Sequence, residues 1–303
     1  MPTHPLASIS PQAAALLAKE QQNLAHSKAP QSIQDTRKET LSAYRPAVER
    51  ALLKYPVTTT EINVAGIACM QVTPPDPDPS RQILFCFGGG FIQGSPFEDL
   101  PITAALAIKT CATIIVPHYR LAPEHPYPAA LDDITTVAQH LLAANPKTLL
   151  SGESAGGNLA LALTHRLRKL GLPTPSALAV LSPATDLEYV GDSHDADRDP
   201  FLPAAVTDDL RAAYLGTQNL RDPEISPLYG KFDATFPPTF VTTGTRDMLM
   251  SGCLRLARVM RQANAPVDLR IWEGLWHVFE FYPDIPEADA SLSEIADFLN
   301  THF

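Results

Sequence analysis

Apolar positions follow two rhythms along the chain, with the change near residue 55. From Pro11 to Ala25 the sequence is rich in Ala, Leu and Gln, and nothing after the proline interrupts a helix. From Ile33 to Lys54, Leu41, Tyr44, Val48 and Leu52 recur at the spacing that lines one helical face. Pro46 falls inside that run and predicts a turn or kink there. From Val57 to Val72 the period shortens. Ile62 and Val64, then Ile67 and Cys69, alternate as in extended chain. The run Pro74-Pro75-Asp76-Pro77-Asp78-Pro79 predicts a loop.

Short apolar runs bounded by loops come next. Ile83–Phe87, Thr113–Pro117, Thr148–Leu150, Ala177–Leu181 and Thr239–Thr243 read as core strands, and Val267–Ile271 as a further strand. Helical segments alternate with them: Leu100–Thr110, Asp132–Ala144, Asn158–Leu170, Ser251–Ala263 and Ala288–Asn300. This alternation predicts βαβ units and a mostly parallel sheet. From Thr185 to Phe236 no core strand is evident, and charges, prolines and scattered aromatics predominate, so the stretch reads as an insertion.

Composition narrows the classes. The 303 residues are 45% hydrophobic and 18% charged, enough apolar material for a sizeable core. A formal net charge of -10 argues against nucleic acid as the main partner. No run of about 18 apolar residues exists to span a membrane. The segment Met1-Pro2-Thr3-His4-Pro5 has no basic region leading into an apolar stretch, so a cytoplasmic location is expected. Cys69, Cys86, Cys111 and Cys253 are widely spaced without zinc-binding patterns and read as reduced thiols. A Cys86–Cys111 bridge is conceivable only if their strands are neighbours.

Glycine is scarce, 15 residues against 29 prolines, and seven of the 15 fall in two places. Gly88, Gly89, Gly90 and Gly94 follow one strand, and Gly152, Gly156 and Gly157 follow another. Such clustering predicts special backbone geometry at both sites. Gly152-Glu153-Ser154-Ala155-Gly156 matches G-x-S-x-G between a strand and a helix, the setting in which a tight turn exposes a serine hydroxyl. The competing reading is a glycine-rich helix start that packs or binds an anion. A serine nucleophile needs a base, and the base needs an orienting acid. Of the histidines after Ser154, His165 lies along a helix, His194 in the insertion and His302 near the last residue. His277 follows a strand and is the candidate base. Asp247, after the strand Thr239–Thr243, is the candidate acid, with Asp186 as runner-up. Phe87-Gly88-Gly89-Gly90-Phe91 can aim backbone N–H groups at a developing oxyanion. Gly88 and Gly89, with Ala155, are the candidate donors.

Together these stretches resemble the hormone-sensitive-lipase-like branch of the α/β-hydrolases, the bacterial family IV esterases, from about Ile83 to Phe279. Phe87-Gly88-Gly89-Gly90-Phe91 is similar to that family's HGGGF, and His118-Tyr119-Arg120-Leu121-Ala122-Pro123-Glu124 to the segment after its next strand. Gly152–Ala160, Ser182-Pro183 with Asp186, Ser226-Pro227-Leu228, Gly244-Thr245-Arg246-Asp247 and Trp276-His277-Val278-Phe279 follow in the family's order. The resemblance implies an α/β-hydrolase fold, with an eight-stranded, mostly parallel sheet flanked by helices. It implies a core at 55–184 and 226–303, and a helical cap from 1–54 and 185–225. It implies a cofactor-free serine carboxylester hydrolase for short- to medium-chain esters. Lactone hydrolysis and amidase or peptidase activity are alternatives with the same triad. From outside enzymology, a non-catalytic small-molecule binder of the gibberellin-receptor kind is the other alternative. Phe87, Phe91, Tyr189, Phe201 and Leu202 are candidates for substrate contact. Family members often pair through an edge strand near the carboxyl end, so a homodimer is expected. One departure stands out: Phe87 occupies the position of the family's histidine and cannot brace the glycine loop by side-chain hydrogen bonding. It is expected to pack and reshape the pocket instead.

Overall fold

A computed structural model describes residues 8–26, 32–196 and 198–303. Residues 1–7 and 27–31, part of the predicted N-terminal cap segment, lie outside the described residues. Two helices come first, α1 (Pro11–His26) and α2 (Ile33–Lys54). The α2 helix continues through Pro46, against the expected break. Its buried Ala47, Val48 and Ala51 hold it against the core, and that packing outweighs one lost backbone bond.

Strands β1 (Thr58–Val64) and β2 (Ile67–Thr73) form a hairpin whose turn is Ala65-Gly66, both at positive φ. The alternating core follows: β3 (Gln82–Cys86), α3 (Leu100–Thr110), β4 (Thr113–Pro117), α4 (Ala129–Ala144), β5 (Leu149–Glu153), α5 (Ser154–Lys169) and β6 (Leu178–Leu181). After β6 come the short α6 (Asp192–Ala196) and α7 (Thr207–Leu215), in the stretch predicted as an insertion. The sheet then resumes with β7 (Thr239–Gly244), α8 (Met250–Gln262), β8 (Val267–Trp272) and α9 (Pro286–Asn300). The strands form one eight-stranded sheet in the order β1-β2-β4-β3-β5-β6-β7-β8. The pairs β1–β2 and β2–β4 are antiparallel and the rest parallel.

Most predicted boundaries hold within three residues. The informative difference is at β5. The strand runs on to Glu153 and α5 begins at Ser154, so the tight turn expected there is drawn into the strand–helix junction itself. Close packing explains the direct passage from strand to helix. A Cβ at Gly156 would collide with the carbonyl oxygens of Cys86 and Phe87, and one at Gly152 would lie 2.8 Å from the Cys86 oxygen. Only glycine lets the start of α5 press this closely on the end of β3.

Register brings the functional loops to one edge. Cys86 pairs with Gly152, Glu153 with Leu181, and Gly244 with Trp272, so the parallel strands end together at their carboxyl side. The β3, β5, β6, β7 and β8 exits all open there. All four cysteines are free thiols. The β3 and β4 strands are neighbours, but Cys86 closes β3 while Cys111 precedes β4 at the opposite end, so no bridge can form. Among the described residues no helix is long and apolar enough to cross a membrane.

Gly156→Ala should force the elbow apart. We expect a loss of about 1–3 kcal/mol, read as a Tm lower by at least about 2 °C for a chain of this size.

Candidate functional site

Ser154 sits at the β5–α5 junction with φ +53°, a left-handed conformation uncommon for a residue with a side chain. The strain lifts its hydroxyl out of the turn. Ser154 is half-buried, while Glu153 and Ala155 on either side are buried. The hydroxyl lies 2.8 Å from His277 Nε2, and His277 Nδ1 lies 3.0 Å from Asp247 Oδ1. The structure therefore joins the three predicted residues, one at a strand–helix junction and two on loops, into one hydrogen-bonded chain. Asp247 is fully buried, and its carboxylate also accepts from the Leu249 N–H at 2.9 Å and the Thr243 hydroxyl at 2.8 Å. Ser182 adds a further support, with its Oγ accepting from the Val278 N–H at 3.1 Å. Ser182 and Val278 also adopt positive φ, so strain gathers around the site.

The other candidates are placed elsewhere. Asp186, the runner-up acid, is ion-paired to Arg255 at 2.5 Å. His194 stacks on Tyr189, with ring centroids 5.9 Å apart. His302 accompanies Phe298 at the end of α9. His165 is buried among Phe232, Phe236 and the carbonyl of Pro227.

Electrostatics at the site come from buried acids. Burial alone would lower the His277 imidazole. Asp247, then Asp199 and Glu153, outweigh it and raise the pKa to about 9. Burial pushes the Asp247 carboxyl up, but His277 and the Leu249 and Ser182 donors hold it below its ordinary value. Glu153 is raised to about 7, chiefly by burial.

The glycine loop lies beside Ser154. The Gly89 carbonyl accepts from the N–H groups of Ile92 and Gln93, which turns the loop back on itself. Ala155 is in the first turn of α5, where no preceding helical carbonyl can take its N–H. Gly88 lies against the buried Glu153 carboxyl, which a Cβ there would strike, a close approach that sequence reading did not anticipate. Leu210 of α7 presses on the loop; a Cβ at Gly90 would come within 2.8 Å of it.

Phe87 is only 2% exposed. It stacks on Tyr119 with centroids 4.0 Å apart, while the Tyr119 hydroxyl donates to the Phe87 carbonyl at 2.7 Å. The ring therefore packs beneath the loop, and Tyr119 supplies a brace through the backbone. Phe91 is equally buried, against Tyr214 at 3.9 Å. Phe201 stacks on Trp276 at 4.6 Å, beside His277. Leu202 packs against the main core. Tyr189 lines a small cavity with Thr185, Ser193 and Met248.

Asp199 is a residue that sequence reading missed. Its carboxylate accepts from the His277 N–H at 2.7 Å, a contact no local motif announces. Among the described residues no group of three or more His, Cys, Asp or Glu is arranged to hold a metal ion.

Linkage makes His165 testable. Burial pushes its imidazole from an ordinary 6.5 down to about 4. Between those values the unfolded chain takes up a proton that the folded protein refuses, so His165 contributes a loss of stability as pH falls. Urea midpoints measured from pH 7 to pH 4 should fall less steeply for His165→Gln than for the native chain.

Comparison with known proteins identifies the family. Residues 83–281 match the α/β-hydrolase fold family. An esterase of Acinetobacter venetianus is 32% identical over 276 residues, covering 85% of this chain and 88% of the relative. An acetyl-hydrolase of Streptomyces hygroscopicus is 31% identical over 73% of this chain and 76% of its own. Among solved structures, a hormone-sensitive lipase from a metagenome library superposes with a TM-score of 0.88 at 29% identity, covering 97% of this chain and all of that one. An esterase of the bacterial hormone-sensitive lipase family superposes with a TM-score of 0.89 at 28% identity, covering 97% and 98%. With family match, sequence relatives and superposed folds in agreement, the chain belongs to the hormone-sensitive-lipase-like esterases of the α/β-hydrolase family.

Proposed function

We propose that this chain hydrolyses carboxylic esters through an acyl-enzyme, with Ser154 as nucleophile, His277 as base and Asp247 as the orienting acid. The observation that carries the reading is the unbroken hydrogen-bonded chain from Ser154 Oγ through both nitrogens of His277 to Asp247. Ser154 Oγ bonds to the ester carbonyl carbon as its proton passes to His277 Nε2. The carbon–oxygen bond to the alcohol then breaks, and the alcohol leaves with that proton. Water, deprotonated by the same nitrogen, adds to the acyl carbon; the bond to Ser154 Oγ then breaks, His277 returns the proton to that oxygen, and the acid leaves. Backbone N–H groups of Gly88, Gly89 and Ala155 receive the oxyanion.

The described residues of 1–54 and 185–225 form the cap, and its α7 helix limits the acyl side. Leu210 against Gly90 and Tyr214 against Phe91 favour short acyl groups. The acetyl-hydrolase among the relatives is consistent with this preference. Phe201 and Leu202 belong to the same cap. Small lactones meet the same nucleophile and oxyanion donors, and are the second substrate class to test. The free thiols suit a reducing cytoplasm. The open edge of β8, with Ile271 half-exposed, supports pairing of two chains there.

Hydrolysis of a graded p-nitrophenyl ester series and ε-caprolactone tests the reading. Ser154→Ala should lower kcat by about 10⁶-fold; retained turnover would overturn the assignment. Leu210→Ala should shift the preferred acyl chain longer without lowering the acetate rate more than about threefold, since the side chain lies off the reacting atoms. Only neutral imidazole accepts the proton. With His277 raised to about 9, kcat/KM should therefore climb from neutral into alkaline pH rather than level off near pH 7.

A further inference from the structure

The insertion between β6 and β7 reaches the base through two residues that flank Pro200. Asp199 is 2% exposed. Its Oδ2 accepts from the backbone N–H of His277 at 2.7 Å, and its Oδ1 accepts from the Phe201 N–H at 2.9 Å. The Phe201 ring stacks on Trp276, the residue before His277, and tilts against Tyr282 at 5.2 Å. The segment thus grips two consecutive residues of the histidine loop, one by a charged hydrogen bond and one by an aromatic face. Among the described residues no Lys or Arg pairs with Asp199, although a buried carboxylate without a cation is costly. The nearby group able to become positive is the imidazole of His277.

We propose that Asp199 is a positioning residue for the base: it fixes the backbone of His277 and lends its charge to the imidazolium, so that seating of the insertion sets the base. The inference rests on the triad reading above. It explains why a cap segment carries a buried acid at this point. A carboxylate on this side of the imidazolium stabilises the protonated base while the tetrahedral intermediate exists. The same carboxylate holds the resting imidazole protonated to higher pH. The groups that face the pair are Asp247 from the β7–α8 loop, Glu153 from the elbow, Glu280 after the histidine loop and the Tyr282 hydroxyl. Burial, then Asp247, raises the Asp199 carboxyl to about 7. Its charge is therefore complete only above neutrality, where the base itself works.

Asp199→Asn preserves shape and one acceptor but removes the charge. The His277 ring is followed by proton–carbon NMR across pH, assigned against His277→Gln, beside kcat/KM for p-nitrophenyl acetate. In Asp199→Asn the imidazole should bind its proton about tenfold more weakly, and the acidic limb of kcat/KM should move to lower pH by the same amount. Asp199→Ala, which also frees the His277 N–H, should lower kcat about tenfold or more with KM little changed. Unchanged ring titration and pH limb in Asp199→Asn would overturn the inference, as would full kcat in Asp199→Ala. Should the Asn variant not fold, Asp199→Glu serves: charge retained but displaced predicts a high limb with reduced kcat, and native kcat would overturn the inference. A ring titration that shifts in a protein hydrolysing no ester would sink the esterase reading while leaving the Asp199–His277 coupling in place.

Discussion

The close approach of α5 to the end of β3 is the constraint on which the site depends. Gly152 and Gly156 give up side chains so that the first turn of the helix can rest on the carbonyls of Cys86 and Phe87. That contact removes any loop between β5 and α5 and puts Ser154 at φ +53°. It also sets the distance between the nucleophile and the glycine loop, since both leave adjacent strands at matched register. Strain at Ser154, Ser182 and Val278 is carried by the sheet beneath, where the parallel strands are buried on both faces.

Around this frame the chain places more buried acid than a triad requires. Asp247, Asp199, Glu153, Asp99 and Glu280 are all at most 7% exposed. Low dielectric strengthens the action of Asp247, Asp199 and Glu153 on the His277 imidazole. The same burial holds Glu153 and Asp199 near 7, so their charges fill in through neutrality and are largely complete in the alkaline range where the base changes state. The electrostatics of the base are thus shared between the α/β core and the insertion.

Much of the fold was legible because its signals are local. Short apolar runs such as Ile83–Phe87 mark double-sided burial, and Leu100–Thr110 announced its helix at the same limits. Ser154 could be nominated because a strand, a small-residue turn and a helix are adjacent in sequence. His277 and Asp247 could be nominated because each follows a strand. What escaped notice depends on long-range contact. Asp199 meets His277 across 78 positions, with nothing local to mark it. The close approach of Glu153 to Gly88 arises only once β3 and β5 pair. The continuation of α2 through Pro46 reflects tertiary packing that periodicity does not encode.

The aromatic cluster beside the base has a consequence for the order of assembly. Ile9, Ala13 and Leu17 share a core with Leu275, Trp276, Phe279, Ile285 and Ala288, and Ser10 hydrogen-bonds Glu287. During synthesis the first helix emerges early, yet Leu275, Trp276, Phe279, Ile285 and Ala288 are made some 250 residues later, on the order of half a minute at roughly 10 residues per second. An amphipathic segment must therefore wait with its apolar face unsatisfied while most of the sheet forms. Its partners include Trp276, the neighbour of the histidine, so the first helix can bury its apolar face only when the loop that carries the base has been made.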